Sequence, residues 1–300
     1  MSIGAAPGDL RHLSLRAARA GADAIREARG KGLQTEHKGG AAQDPVTSAD
    51  HASERAILGL LARDRPQDAV LAEESGASDG CSGLRWIVDP LDGTLNFSHG
   101  ASRYAVSIAV ATGCDVGDGR VVAATVLQPA TGACLVLDDD GALDGDAPVA
   151  VNREAEPGHA LVAFAVPNAP GPRRRAYQAL VGVAPRVADL RNTGSTVCDL
   201  AAVARGELDA FVSFDPAPWD IAAGAALVEA AGGVSRRWGH DGFVVFATGA
   251  PAVVAALAGW LGDDGADGRD GIDSRGGADS TDEADTDTDE ERGTDDDRQR

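Results

Sequence analysis

The first part of the chain carries apolar residues at the spacing of two amphipathic helices. They recur every three or four positions across residues 8–29 and again across residues 49–64, so each segment presents one apolar face. The stretch between them is polar and glycine-bearing, which predicts a loop or a short hairpin. Short apolar runs at residues 69–72 and 85–88 predict two buried strands, each followed directly by acidic residues.

The pattern changes twice along the rest of the chain. Residues 104–164 hold apolar or alternating runs separated by Gly, Asp and Pro, which predicts an extended, mainly antiparallel sheet. After residue 172 the period alternates between helix and strand, which predicts an α/β layer. The predicted helices cover 173–182, 195–205, 219–231 and 250–261, and the predicted strands cover 186–189, 208–213 and 243–247.

These changes of pattern predict three segments. Residues 1–155 form an α+β half, and residues 156–261 form an α/β half. Residues 262–300 are almost devoid of apolar side chains and cannot bury enough surface to offset their ordering entropy, so we expect an acidic, disordered tail.

Charge narrows the classes of partner. The formal net charge is −20, of which the last 39 residues contribute −11. Such a negative chain repels phosphate backbones and anionic lipid, which argues against nucleic acid and membranes as partners. Aspartate outnumbers glutamate 35 to 12, a bias that suggests a high-salt cytoplasm. No apolar run reaches 18 residues and the N-terminus is unlike a signal peptide, so we expect a cytoplasmic protein.

The sequence has no cysteine pattern typical of a disulfide framework or a zinc site, and no common nucleotide-binding or hydrolase motif. The four cysteines, Cys81, Cys114, Cys134 and Cys198, form no C-x-x-C pair and have no histidine at zinc-ligand spacing. We interpret them as reduced thiols. No P-loop, G-x-S-x-G or H-E-x-x-H motif occurs.

Acidic residues are the remaining candidates for chemistry, and they fall in four motifs. The motifs are DPVTSAD (44–50), AEES (72–75), DPLDGT (89–94) and WDIAAG (219–224). Taken singly, each acid has an ordinary explanation as a helix N-terminal residue, a solvated loop residue or a turn former. Gathered at strand ends they would repel one another unless cations neutralised them, and sets of oxygen ligands suit Mg²⁺ or Mn²⁺.

The DPLDGT motif has a spacing that suits such a site. A turn fixed by Pro90 can point Asp89 and Asp92 to one side and leave the Leu91 carbonyl as a neutral ligand. The amides of the glycine and threonine that follow can meet a phosphate oxygen.

These motifs together resemble the inositol monophosphatase family, in the superfamily that includes fructose-1,6-bisphosphatases and bisphosphate nucleotidases. The likeness rests on DPVTSAD, AEES, WIVDPLDGTLNF (86–97), NTGS (192–195) and WDIAAG, which occur in family order within residues 10–261. The resemblance implies a layered αβαβα sandwich, a homodimer and a metal-assisted phosphomonoesterase that acts on a small-molecule phosphate ester.

The resemblance also implies a ligand set for Mg²⁺. Glu73, Asp89 and the Leu91 carbonyl would hold a first ion, and Asp89, Asp92 and Asp220 would hold a second. A third, weaker ion is associated in the superfamily with the loop that here covers residues 37–44. Its Lys38 would meet the phosphate or a metal-bound water, or is simply an exposed loop lysine.

Catalytic and substrate-binding roles carry over in the same way. Thr94 and Asp50 would polarise the attacking water, with Glu73 as a further catalytic residue. Phosphate and substrate contacts are implied for Gly93, Thr94, Gly194, Ser195 and Asp220. For Ser195 a plain helix cap explains the residue equally well.

Substrate choice stays open on the sequence. Inositol-preferring members carry an acid seven residues before the aspartate of the W-D motif, where this chain has Ser213, so a broader range of sugar phosphates is expected. The leading substrates are inositol monophosphate, fructose 1,6-bisphosphate or both. A second phosphate would need a cation such as Arg191 or the run Arg173-Arg174-Arg175, although such runs are usually solvated. The alternatives are a phosphatase of 3′-phosphoadenosine 5′-phosphate and a catalytically silent binding or regulatory homologue.

Overall fold

The computed structural model describes residues 7–31, 35–37, 45–113 and 119–263. The described residues form seven α-helices and two short 3-10 turns at Pro157–His159 and Ala184–Arg186. The helices are α1 Pro7–Lys31, α2 Ser48–Asp64, α3 Thr94–Ser98, α4 Pro170–Val183, α5 Thr196–Ala204, α6 Pro218–Ala230 and α7 Pro251–Trp260. Nearly all of the tail that we predict to be disordered lies outside the described residues.

The strands form a small hairpin and two larger sheets. The hairpin pairs β1 (Thr35–His37) with β2 (Pro45–Thr47). The first large sheet contains β3 Ala69–Ala72, β4 Gly76–Ser78, β5 Leu84–Asp92, β6 Ala105–Thr112, β7 Val121–Leu127, β8 Cys134–Asp138, β9 Gly141–Asp144 and β10 Ala147–Pro148, in the order β10-β9-β8-β7-β6-β5-β3-β4. The second contains β11 Leu161–Ala165, β12 Asp189–Arg191, β13 Ala210–Phe214, β14 Val234–His240 and β15 Phe243–Gly249, in the order β12-β11-β13-β15-β14.

The helices and sheets stack in five layers. One core cluster joins α1 and α2 to one face of the first sheet, and a second joins the other face of that sheet to α5, α6 and the second sheet. A third cluster places α4 and α7 on the outer face of the second sheet.

Side-chain size along β6 shows why the layers form in this way. Because successive residues of a strand face opposite sides, Val106, Ile108 and Val110 pack toward α1, whereas Ala105 and Ala109 face the central helices. Small side chains on that face let α5 and α6 approach the sheet closely.

Two strand predictions are wrong. The run at Leu161–Ala165 was expected in the antiparallel sheet, but it pairs in parallel with β12 and β13 in the second sheet. The predicted strand over 186–189 begins only at Asp189, because a 3-10 turn occupies Ala184–Arg186. Periodicity indicates a strand without indicating its partner, so sheet membership depends on tertiary pairing.

The predicted boundary near residue 155 falls between β10 and β11. Residues from both sides of it share one core cluster, including Leu71, Ala124, Phe211 and Leu227. Because the two halves share this core, the boundary does not separate two independent cores, and the division into halves at residue 155 stays a prediction. Among the described residues, no helix combines the length and the apolar character needed to cross a membrane.

Candidate functional site

A cavity of about 530 Å³ lies where the two sheets and the central helices meet, and we call it the carboxylate cavity. It is lined by nine of the ten residues for which the sequence predicts a role, namely Glu73, Asp89, Leu91, Asp92, Gly93, Thr94, Gly194, Ser195 and Asp220. The tenth, Asp50, is buried beside the cavity and reaches it through Thr94. The structure thus brings together motifs that are separated by up to 170 residues in sequence.

The acids of DPLDGT are placed by an irregularity in β5, where the sequence predicted a turn after the strand. The strand continues through Asp92, and Asp89 pairs with Ser107 while Asp92 pairs with Ala105. Two residues on β5 therefore face one on β6, which is the geometry of a β-bulge, and a proline is tolerated there because the local ladder is interrupted. The bulge brings both carboxylates to the same cavity.

One hydrogen bond within β5 and one from α2 hold the bulge. Asp89 Oδ1 accepts from the Leu91 amide over 3.0 Å. The Pro90 carbonyl accepts from the Ser53 hydroxyl of α2 over 2.7 Å. These bonds fix the orientation of the Asp89 carboxylate relative to the strand.

Glu73 is positioned by the backbone of the loop after β3. Its amide donates to the Val88 carbonyl over 3.1 Å, and the Glu74 amide donates to Glu54 Oε2 over 2.9 Å. Glu54 comes from α2, so the helix that carries Asp50 also anchors this loop.

The acids of the cavity interact strongly with one another. Asp89 is only 1% exposed, and burial raises the pKa of its carboxyl well above the usual 3.8, with further increases from the charges of Glu73, Asp92 and Asp220. Burial also raises the pKa of Asp92 to about 6, although hydrogen bonds from Ser195 and the backbone of α5 oppose that shift. Charge repulsion of this kind is relieved when a cation binds among the carboxylates.

The donor set fits a hard divalent cation in its chemistry. Four carboxylates and the Leu91 carbonyl line one cavity, and oxygen ligands of this kind suit Mg²⁺. In the part of the chain that the structure describes, no three His, Cys, Asp or Glu side chains have the mutual spacing of a preformed metal site. The fit to Mg²⁺ therefore lies in the chemistry of the donors that share this cavity.

The start of α5 holds Asp92. Asp92 Oδ2 accepts from the Ser195 hydroxyl and from the Val197 amide, the latter over 3.0 Å. Ser195 is also the N-cap of α5, because its Oγ accepts from the Cys198 amide over 3.1 Å. The one hydroxyl hydrogen of Ser195 is thus committed to Asp92, and the cap that the sequence suggested is present.

Thr94 and Asp50 form a hydrogen-bonded pair. The Thr94 hydroxyl lies 2.8 Å from Asp50 Oδ1 and 2.9 Å from the Leu91 carbonyl oxygen. Asp50 Oδ2 accepts from both the amide and the hydroxyl of Thr47, over 2.8 and 2.6 Å. Burial raises the pKa of Asp50, and these three donors act in the opposite direction.

Two glycines let the backbone approach the cavity. Gly93 has φ +85°, and a Cβ there would lie 2.9 Å from the Arg103 carbonyl oxygen. Gly194 has φ +81°, and a Cβ there would lie 2.8 Å from Asn96 Oδ1. Both positions therefore require glycine for conformation and for space.

Sequence reasoning missed a polar network around Asp199, which also lines the cavity. Asp199 Oδ1 accepts from Arg103 Nη2 over 3.0 Å and from the Thr193 hydroxyl over 2.6 Å. Asp199 lies four residues after Ser195 on the same helix, and that spacing was the available signal.

Of the residues considered for substrate choice, some line the cavity and others do not. Ser213 lines the cavity, and its buried Oγ has no hydrogen-bond partner among the described residues. Arg173 also lines the cavity, whereas Arg191 pairs with Asp189 and is not among the lining residues. The loop with Lys38, predicted to serve a third ion, lies outside the described residues.

The comparisons with known proteins agree with this architecture. The model of the inositol monophosphatase family matches residues 9–262. Inositol-1-monophosphatase of Rhizobium meliloti (strain 1021) is 38% identical over 206 residues, which cover 68% of this chain and 75% of the relative. Nus factor SuhB of Escherichia coli (strain K12) is 32% identical over 231 residues, which cover 75% of this chain and 85% of that protein.

A solved structure extends the likeness to the fold. Extragenic suppressor protein suhB from Bartonella henselae superposes with a TM-score of 0.75 at 30% identity, over 85% of this chain and 99% of that one. The predicted αβαβα sandwich is thereby confirmed. The family match across the chain, the identity to these relatives and the shared fold lead to one conclusion: the chain belongs to the inositol monophosphatase family.

Proposed function

We propose that this protein is a Mg²⁺-dependent phosphomonoesterase that hydrolyses small polyol or sugar phosphates. The observation that carries the proposal is the convergence of Glu73, Asp89, Asp92 and Asp220 on one cavity beside the Thr94–Asp50 pair. A group of mutually repelling acids is costly to keep unless it binds cations. Membership of a family whose relatives are named inositol-1-monophosphatase supports the same reaction class.

The ligand assignment follows from the donors of the cavity. Glu73, Asp89 and the Leu91 carbonyl would hold one Mg²⁺, and Asp89, Asp92 and Asp220 would hold another. Bound Mg²⁺ supplies positive charge for the phosphate and the leaving oxygen and lowers the pKa of a bound water. A third ion at residues 37–44 remains part of the proposal.

Thr94 and Asp50 would orient the attacking water. When the Thr94 hydroxyl donates to Asp50 Oδ1, its oxygen is left to accept a hydrogen bond from a water in the cavity. Asp50 is held by Thr47 and does not itself line the cavity, so it is a positioning residue for Thr94. Glu73 lines the same cavity and would bind the same water.

The remaining cavity residues would bind and orient the ester. Ser195 and the start of α5 hold Asp92 Oδ2 and so orient this carboxylate in the cavity. Backbone amides at Gly93 and Thr94 begin the short helix α3, where the first amides have no acceptor within the helix and suit a phosphate oxygen. Gly194 gives substrate oxygens room beside Asn96.

Two cavity residues bear on substrate choice. The Oγ of Ser213, which has no hydrogen-bond partner within the described ranges, offers a neutral partner for a polyol hydroxyl, and this favours a broad range of sugars. The guanidinium of Arg173 favours a substrate with a second anionic group, as in fructose 1,6-bisphosphate. We therefore keep both inositol monophosphate and fructose 1,6-bisphosphate as substrates.

The test is phosphate release by the purified full chain with Mg²⁺. Inositol 1-phosphate, fructose 1,6-bisphosphate and 3′-phosphoadenosine 5′-phosphate are compared, each with and without excess chelator. We expect metal-dependent turnover of the first, the second or both. Preferred turnover of the adenosine bisphosphate would favour the nucleotidase alternative, and no turnover of any ester would favour a silent homologue.

A matched pair of variants tests the role of Arg173. Arg173→Gln should raise KM for fructose 1,6-bisphosphate while leaving KM for inositol 1-phosphate unchanged. Arg174→Gln, an exposed neighbour that does not line the cavity, is the control. Equal effects of Arg173→Gln on both substrates would remove the argument for a second phosphate.

Assembly and partners are also part of the proposal. We propose a homodimer, by analogy with the family, and a small phosphate ester as the partner molecule. One relative is named Nus factor SuhB, yet the net charge of −20 disfavours contact of this chain with nucleic acid. The elution volume of the full chain on a calibrated sizing column tests the dimer.

A further inference from the structure

A second cavity, of about 630 Å³, lies between the two large sheets beside α6, and we call it the intersheet cavity. Its wall on α6 includes Ile221, Ala222 and Ala225, its wall on the first sheet includes Ile87, and its wall on the second includes Phe246. A volume of this size suits a small organic ligand, and the lining is largely apolar with a few polar groups.

Two arginines from opposite sheets line the intersheet cavity without a carboxylate partner among the described residues. Arg85 lies on β5, and its buried Nε makes no hydrogen bond with the residues that the structure describes. Arg237 lies on β14, and its guanidinium carbon stands 5.7 Å from the ring centroid of Phe246. Burial also lowers the pKa of the Arg237 guanidinium.

The other charged groups of the intersheet cavity leave this positive character in place. Arg120 is an exposed third arginine of the lining. The acids among the described lining residues are Asp215 and Glu229, both exposed, and Asp215 Oδ1 already accepts from the Val244 amide over 2.7 Å. With three arginines and two acids, the described lining carries a formal charge of +1, which favours a negative ligand group.

We propose that the intersheet cavity binds an organic monoanion, with a carboxylate or sulfonate group between Arg85 and Arg237 and an aromatic or aliphatic body against α6. The guanidinium groups match an anion with two or three oxygens, because each presents several donors in one plane. The alanine-rich face of α6 and the ring of Phe246 would bury the apolar body. This site shares only Asp215 and Pro216 with the lining of the carboxylate cavity, and binding there does not depend on the proposed phosphatase activity.

The test compares an anionic and a neutral fluorescent probe of similar shape. The probes are 8-anilinonaphthalene-1-sulfonate and N-phenyl-1-naphthylamine, titrated into the full chain. We expect saturable binding of the sulfonate at one site per chain. The double variant Arg85→Gln/Arg237→Gln should lower the affinity for the sulfonate by at least about tenfold. Its affinity for the neutral probe should stay almost unchanged, because only the charge contact is lost.

Further variants keep the result interpretable. The guanidinium of Arg186 lies over Trp260, and Arg186 lines neither cavity. The variant Arg186→Gln should therefore bind the sulfonate like the parent chain. Ala226→Phe fills the intersheet cavity and should lower the affinity for both probes. Circular dichroism verifies that each variant is folded.

Competition separates the two cavities, which share Asp215 and Pro216 in their linings. Inorganic phosphate with Mg²⁺ should not displace the sulfonate. Displacement by phosphate would overturn the proposal. It would also be overturned by an absence of saturable binding, or by equal affinity of the parent chain and a folded double arginine variant.

Discussion

Replacing Thr94 with valine removes the hydroxyl that lies 2.8 Å from Asp50 Oδ1 and keeps the branched shape of the side chain. A positioned group that handles the proton of the reacting water contributes about 10²–10⁴-fold to the rate, so Thr94→Val should lower kcat by a factor in that range. Asp50 would keep its two bonds from Thr47 but lose one partner, which costs about 1–3 kcal/mol of unfolding free energy. A domain with typical stability of about 5–15 kcal/mol stays folded after such a loss.

The assay measures kcat and KM from phosphate release, together with urea unfolding followed by tryptophan fluorescence. Thr94→Ser restores the hydroxyl and should recover most of kcat, whereas Asp50→Asn should resemble Thr94→Val. If the pair acts as a unit, the double variant should lose about as much as the worse single variant. A folded Thr94→Val protein with unchanged kcat would refute the role of the pair, and so would losses that multiply in the double variant.

Three further predictions concern stability, thiol reactivity and salt. Asp68→Asn should lower the free energy of unfolding by about 1–3 kcal/mol near neutral pH, since the carboxylate accepts hydrogen bonds from Arg65 and from Trp86 Nε1. Burial opposes ionisation of Asp68, but the hydrogen bonds that it accepts lower its pKa below 3.8. The ionised carboxylate therefore contributes its full stabilisation above the unfolded-state pKa, and this contribution disappears as pH falls through the lower folded-state pKa. Urea unfolding of both proteins as a function of pH measures this, and a difference that grows on acidification would contradict it. Peptide mapping after alkylation near pH 8 should find Cys81 labelled before Cys134 and Cys198, because Cys81 is exposed while burial raises the pKa of Cys134 to about 11 and that of Cys198 to about 12. Labelling of Cys134 or Cys198 as fast as that of Cys81 would contradict this prediction. Turnover should rise between low and molar salt if the aspartate bias reflects a high-salt cytoplasm, and a maximum near zero salt would exclude that interpretation.

Local pattern predicted the fold well where an element has a strong period. The helices α1, α2, α6 and α7 were predicted to within two residues at either end, because each has an apolar face or run that ends at a polar or glycine-bearing stretch. β14 was missed because VSRRWGH is charged and lacks an apolar alternation. It forms through its register with β15, from Val234 opposite Gly249 to His240 opposite Phe243, and that pairing is invisible in a local window.

The candidate site divides in a similar way. Acids at strand ends and their family order indicated the lining residues of the cavity, because a carboxylate cluster has a recognisable sequence signature. The continuation of β5 through Asp92 could not be predicted, since the bulge depends on the pairing of Asp92 with Ala105. The Arg103–Asp199 contact and the unpartnered Ser213 hydroxyl also depend on distant elements meeting. Sequence therefore predicts the reactive groups better than their supporting contacts.

Asp89 is the acid shared by both proposed metal positions, so its removal tests the cation-dependent mechanism most directly. The measurement is phosphate release from inositol 1-phosphate and fructose 1,6-bisphosphate during a Mg²⁺ titration of the parent chain and of Asp89→Asn, each verified as folded by cooperative urea unfolding. We predict that turnover by the parent chain rises with Mg²⁺ and vanishes in excess chelator, and that Asp89→Asn shows no Mg²⁺-dependent rise. Turnover in excess chelator, or full turnover by Asp89→Asn, would contradict a reaction carried out by cations held in the carboxylate cavity.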